Sequence, residues 1–145
     1  MKAETVKYLR WDGNASAFPA IAIDEPFKAL IIAEKQVVPS DRLSAAQALV
    51  RAGVRYVCTW GEACEAWHDA IDEAAIRVGL ESLQDEKEWP FVITTWHHDE
   101  SLEDTVWFLK KTVAHPDFEL SSCLLFHVSI VNREQEFVQI YTSCD

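Results

Sequence analysis

The chain has 145 residues, nearly half of them apolar and few of them Gly or Pro, which suits one domain with its own core and excludes a disordered chain. No apolar run reaches the length of a membrane span, and the start, MKAETVKYLRWDGN, lacks a secretory h-region. A net charge of −11 argues against nucleic acid or a membrane as partner.

Residues 1–25 read as an irregular N-terminal segment and 27–145 as a βαβ core, together a single α/β domain. Within the first part, Tyr8-Leu9-Arg10 could form a short edge strand, and Trp11-Asp12-Gly13-Asn14 carries an Asp-Gly turn signal. Phe27–Ala33 is a continuous apolar run with the length of a buried strand. Pro39-Ser40 then offers an N-cap, Leu43, Ala46, Leu49 and Val50 make a helical stripe, and Gly53 closes it. Arg55–Trp60 predicts a second strand. After Gly61 the spacing of Cys64, Trp67, Ile71, Ala74, Ala75 and Val78 predicts a helix from about Glu62 to Val78, stopped by Gly79. Residues 81–89 form an acidic connector, and Phe91–Trp96 a third strand.

Ser101-Leu102-Glu103-Asp104 matches a capping box, opening a third helix with the stripe Leu102, Val106, Leu109 and Val113 that His115-Pro116 ends. Trp107 and Phe108 lie off that stripe on either side. Cys123–Val128 is a fourth buried strand. After a turn at Asn132-Arg133-Glu134, Phe137–Tyr141 predicts a fifth strand, as an antiparallel edge. Buried strands alternating with amphipathic helices define a three-layer α/β sandwich of the Rossmann-like or flavodoxin-like kind, a mostly parallel sheet of about five strands with three helices.

Charge is sharply placed. Between Glu62 and Asp104 thirteen acids face only Arg77 and Lys87, so that segment carries −11 and the remainder of the chain is neutral. Such a segment is either a solvated face or a surface for a basic partner. The four cysteines form no Cys-x-x-Cys pair and read as reduced thiols, which places the expected chain in the cytoplasm.

Parallel sheets bind ligands outside the carboxyl ends of their strands. Here those ends carry Glu34, Thr59, Trp60, Glu62, Thr95, Trp96 and His97, a predicted strand-end crevice. His97, His98 and Asp99 are the candidate catalytic residues, with His as general base and Asp to orient it. His97 and Asp99 could also ligate a divalent metal, although adjacent histidines on a strand end point to opposite sides. No cofactor is otherwise expected: G-x-G-x-x-G and Walker A loops are missing from the sequence. Cys64 and His68 stand four apart on a helix, but Cys64 lies on the apolar stripe. Cys58 could pair with His97 or His98 as a nucleophile only if the fold brings them together. His127, inside an apolar strand, reads as a buried imidazole.

Recognition is the competing chemistry. On the predicted second helix Glu62, Glu65, Asp69, Asp72 and Glu73 lie opposite the apolar stripe, and Ile76 sits among them, about 180° from Trp67. Ile76 and Trp107 are the candidate anchors of a partner surface, since interface anchors favour exposed large side chains.

The pieces V-C-T-W-G, E-A-C-E-A-W-H-D, T-T-W-H-H-D-E-S-L-E-D-T-V-W-F-L-K-K, A-H-P and L-L-F-H-V-S, between Tyr56 and Ser129, resemble a family of small bacterial domains of unknown function. That resemblance implies a stand-alone bacterial cytosolic domain and transfers no catalytic residue. The preferred expectation is an acidic binding protein for a basic protein partner, immunity- or inhibitor-like, as monomer or homodimer. The alternative is an enzyme or small-ligand sensor at the strand ends.

Overall fold

The structure, a computed structural model, describes residues 4–84 and 89–145. Five strands, β1 (Thr5–Trp11), β2 (Phe27–Ala33), β3 (Val54–Gly61), β4 (Ile93–Trp96) and β5 (Ser122–Val128), form one parallel sheet in the order β1-β5-β2-β3-β4. Four helices accompany them: α1 (Pro39–Ala52), α2 (Cys64–Gln84), α3 (Leu102–Lys111) and α4 (Glu134–Ser143). Read from β4, the order β4-β3-β2-β5 repeats the 3-2-1-4 part of the Rossmann arrangement, and β1 fills the next place.

Two cores lie on the two faces of the sheet. Along β2, Phe27, Ala29, Ile31 and Ala33 pack with α1 and α2, whereas Leu30 and Ile32 pack with α3 and α4. β5 alternates in the same way, with Leu124, Phe126 and Val128 on the first face and Cys123 and Leu125 on the second. Burial on both faces is why these two strands are mostly apolar on both sides, apart from Lys28, Ser122 and His127.

Several expectations need correction. Phe137–Tyr141 is not a strand but the middle of α4. Its two deeply buried residues, Phe137 and Tyr141, stand four apart, which is a helical spacing, and the adjoining sheet edge is already taken by β1. From Thr5 on, the N-terminal segment is irregular only after Trp11: the edge strand expected at Tyr8-Leu9-Arg10 is longer, β1 running the full length of β5, and Trp11 at its end packs against Phe18, Trp67 and Phe126. α1 starts with Pro39 at its first turn and Val38 as an N-cap without a side-chain bond, so Ser40 is not the cap. Gly53 does close α1, in the left-handed conformation.

α2 runs through Gly79 instead of stopping there. A Cβ at Gly79 would come within 2.6 Å of the Trp89 indole, so this glycine admits a packed ring to the helix surface. The extra turn absorbs residues 81–84 of the expected acidic connector; residues 85–88 of it lie outside the described residues. α3 is capped as the sequence predicts, Ser101 Oγ accepting from the Asp104 N–H at 3.0 Å. It ends at Lys111, before the His115-Pro116 stop.

Gly61, where β3 turns toward α2, has φ +98°, and a Cβ there would collide with the backbone carbonyl of Ala33 on β2. Gly53 also has a positive φ, but its nearest neighbour to such a Cβ is 3.8 Å away. Gly61→Ala is therefore expected to destabilise by at least about 2 kcal/mol and Gly53→Ala by roughly 1 kcal/mol, measured by urea unfolding.

Candidate functional site

The strand connections change direction between β2 and β5, and the carboxyl ends of those strands present Glu34 and His127 to each other. His127 is fully buried, and its Nε2 lies 2.5 Å from Glu34 Oε1. Its Nδ1 lies 2.6 Å from the Tyr8 hydroxyl on β1. Arg133, just before α4, closes the circuit: its Nη1 donates to Glu34 Oε2 at 2.5 Å and its backbone N–H donates to the Tyr8 oxygen at 3.1 Å. The partners assign the protons. Tyr8 receives from Arg133 and donates to Nδ1, so the imidazole carries its hydrogen on Nε2 and donates to Glu34. The Phe137 ring covers His127 edge-on at 4.7 Å and lies 4.6 Å beneath the Arg133 guanidinium.

Burial would raise the Glu34 carboxyl, but hydrogen bonds from His127 and Arg133 and the arginine charge overrule it and hold the group below the ordinary range. For His127, burial dominates over the pull of Glu34 and lowers its pKa; burial raises that of the Tyr8 phenol. The result is an ionised carboxylate against a neutral imidazole, with every polar atom of the imidazole paired. Glu34 also places a fixed negative charge at the head of the β2–α1 loop, where a dinucleotide fold would need glycines and backbone N–H groups for a pyrophosphate.

The second polar cluster is the TTWHHDE segment at the end of β4. His97 turns inward and is buried; His98 is exposed and reaches only Asp99, at 3.3 Å. The two imidazoles thus diverge. Asp99 has φ +59° and lies outside α3, whose cap is Ser101. His97 lies 3.1 Å from Glu100 through Nδ1 and 2.9 Å from the Thr95 hydroxyl through Nε2, with Phe108 packed on its ring at 4.8 Å. Cys58 stands beyond Thr95, whose Oγ1 is 3.5 Å from the sulfur, so Thr95 separates the thiol from the imidazole. Burial pushes the Cys58 thiol up to about 12, which removes the thiolate a nucleophile needs. Among the described residues no three His, Cys, Asp or Glu side chains converge as a metal-ligand set.

The predicted strand-end crevice is divided in two. The Trp60 indole donates to the Glu100 carbonyl at 2.8 Å and bridges β3 to the loop after β4. On one side Glu34 and Trp60 line a crevice of about 380 Å³ with Leu102, Glu103, Arg133 and Glu136. On the other, Glu62 and Trp96 line one of about 400 Å³ with Cys64, Glu65 and His98. Thr59 and His97 are buried beneath, and Thr95 with them is half-buried; Thr59 donates to the Cys64 carbonyl at 2.7 Å.

The partner-surface candidates separate by face. Glu65, Asp69, Asp72, Glu73 and Ile76 are all exposed on α2, and Glu62 is exposed in the turn that precedes it. Asp69 and Asp72 flank His68, and Asp72 also accepts from Thr94, so His68 pairs with acids and not with Cys64. Asp69, Glu73 and Ile76 line a groove of about 610 Å³ between α1 and α2, with Arg42, Leu43 and Ala70. Trp107 is half exposed on α3, across the sheet from Ile76, so the two do not share one surface.

Sequence reasoning singled out Glu34 and His127 separately and missed Tyr8 and Arg133. Tyr8 is 119 residues from its histidine and Arg133 is 99 from its carboxylate, and neither stands in a motif. The polar outward end of a strand reading Tyr-Leu-Arg is the one local hint.

Fold and site together define a parallel, three-layer α/β domain whose strand-end histidines are enclosed in hydrogen-bond networks and whose acidic helix stands open. The chain belongs to the DUF7684 family, a domain of unknown function whose model matches residues 6–144. Comparison with curated proteins and with solved structures gives no match.

Both His127 and Glu34 have depressed pKa values in the folded protein, so the unfolded chain takes up more protons on acidification. Their contribution to stability is complete above the ordinary histidine value of 6.5, declines below it through His127, and declines again below 4.5 through Glu34. Urea midpoints measured from pH 7.5 to 4 should fall accordingly, and His127→Gln should flatten the upper part of that fall. Tyr8→Phe leaves a buried imidazole nitrogen and the Arg133 N–H unpaired, at a cost of about 1–3 kcal/mol by the same assay.

Proposed function

We propose that this protein is a binding module that recognises a basic protein partner through α2. The observation that carries the reading is the α1–α2 groove, in which the apolar surface of Leu43, Ala70 and Ile76 adjoins the carboxylates of Asp69 and Glu73, with Arg42 on the α1 wall and Arg77 paired to Glu73 at 3.3 Å, while Glu65, Asp69 and Asp72 keep the helix face net acidic. Ile76 is 55 % exposed at its end. The acids Glu62, Glu65, Asp69, Asp72 and Glu73 steer encounter, and Ile76 supplies the anchor that desolvates on contact. Like charges gathered on one helix repel one another, and a basic partner relieves that repulsion. Burial of both strand-end histidines, with each nitrogen bonded to a neighbouring side chain, supports binding over direct proton exchange between an imidazole and a substrate. Trp107 stands outside this surface and would make a separate contact.

The test is retention of basic proteins from host lysate on the immobilised protein, at low and high ionic strength, against the variant Glu65→Lys/Asp69→Lys/Glu73→Lys. A retained basic protein should be lost at high salt, and the triple variant should hold it roughly tenfold less well at low salt. Retention that the reversal leaves unchanged would sink the reading.

A further inference from the structure

The exposed face of α2 has a period of its own. Ala66, Asp69, Glu73, Ile76, Leu80 and Leu83 follow one another at steps of three, four, three, four and three, which is the a/d spacing of a coiled-coil seam. Ala66 is half-buried and the other five are exposed, Leu80 at 55 % and Leu83 at 62 %. This is a second apolar stripe, distinct from the one that packs on the sheet through Trp67, Ile71, Ala74 and Val78. Isolated apolar residues on a surface are ordinary; three in heptad register on one helix form an exposed apolar face among the described residues. The seam is polar in a definite order: small and acidic through its first half, apolar through its second.

We propose that this seam is the docking line for one α-helix of a different protein, an amphipathic helix that is basic along one half and apolar along the other. The inference rests on the proposed function and specifies the form of its partner. From Ala66 to Leu83 the seam spans about 26 Å, so the occupant is a helix of about five turns. Its lysines or arginines lie opposite Asp69 and Glu73, where the α1 wall with Leu43 forms the groove. Its apolar residues fill the spaces around Ile76, Leu80 and Leu83. Ala66 and Ala70 keep the acidic half shallow enough for a helix backbone to approach.

Charge order excludes a second copy as occupant. In a parallel pairing of two α2 seams, Asp69 faces Asp69 and Glu73 faces Glu73. In an antiparallel pairing over the whole seam, Asp69 faces Leu80 and Glu73 faces Ile76, so both carboxylates are desolvated against apolar side chains and the partner helix supplies no counter-charge, leaving Glu73 with only its own Arg77. An antiparallel pairing confined to Ile76, Leu80 and Leu83 leaves the acidic half of each seam unpaired, whereas a helix that is basic in one half and apolar in the other engages the seam along its whole length.

The probes are two synthetic 21-residue helical peptides, one with lysine at the a and d positions of its N-terminal half and leucine in its C-terminal half, the other reversed, for the two helix directions. A peptide of the same composition with the heptad scrambled is the control. Binding to the full chain is read by fluorescence anisotropy, with circular dichroism to verify that each variant is folded. One seam peptide should bind at least tenfold tighter than the scrambled one. Leu80→Glu/Leu83→Glu should abolish that difference, and Asp69→Lys/Glu73→Lys should weaken both peptides. Equal binding of seam and scrambled peptides, lost on charge reversal but unaffected by Leu80→Glu/Leu83→Glu, would overturn the seam and leave the acidic-face reading standing. Binding of neither peptide, with no response to charge reversal, would overturn both. A concentration-dependent dimer in sedimentation that Leu80→Glu/Leu83→Glu dissolves would overturn the heterologous partner in favour of self-association.

Discussion

The central constraint on this molecule is that β2 and β5 are buried on both faces, where a polar side chain is tolerated only with its partners in place. Three buried side chains depart from the apolar pattern; Ser122 on β5 donates to Glu25 at 2.6 Å, and the other two tie elements together. His127 on β5 is held by Tyr8 and Glu34. Lys28 on β2 extends its ammonium to the Leu109 carbonyl at the end of α3, 3.1 Å away, and to the Glu4 carboxylate at 3.2 Å. The first fixes the α4 side at the carboxyl ends of the strands and the second fixes the end of α3 at the amino ends. A cation on the last carbonyls of a helix also opposes the helix dipole. Lys110 does the same for α4, donating to the Tyr141 and Cys144 carbonyls at 2.8 Å.

These attachments also shape the strand-end region. At the topological switch point a Rossmann-type sheet leaves backbone N–H groups and small side chains for a ligand. Here a carboxylate, an imidazole, a phenol and a guanidinium occupy the position and satisfy one another. The second histidine site repeats this economy with Thr95, His97 and Glu100. These polar groups join strands, loops and helices, and two crevices of about 380 and 400 Å³ open beside them. On α2, carboxylates and apolar side chains share one exposed helix face.

The sequence showed the sheet best where burial is two-sided. Continuous apolar runs mark β2, β3 and β5 directly, and the Ser101 box and Gly53 mark helix ends because caps are local chemistry. The outward position of Ile76 also follows from helical angle alone. The run FVQIY was ambiguous in kind: five residues with apolar ends satisfy a strand period and an i, i+4 helical contact alike, and only the occupancy of the sheet edge decides. Gly79 carried the wrong message because glycine both ends helices and admits a neighbouring ring, and Trp89 makes it the second. The Tyr8–His127–Glu34–Arg133 circuit was illegible because each contact spans about a hundred residues. On α2, the same residues read as an acidic face when attention stays on charge, and as a seam once Leu80 and Leu83 are known to be helical.

β1 pairs with β5 alone, Thr5 opposite Ser122, so the first strand has no neighbour until the last one exists. On a ribosome adding about 5–20 residues per second, the interval between them is roughly ten seconds. During it β2, β3 and β4 can assemble with α1 and α2 through connections local in sequence, while β1 waits as an unpaired strand. The arrival of β5 then inserts a strand between β2 and β1 rather than extending an edge. Tyr8 and Glu34 are brought to His127 in that same event, and Arg133, a few residues later, completes the closure. In order of synthesis, the pairing of β1 with β5 therefore follows the appearance of β2, β3 and β4.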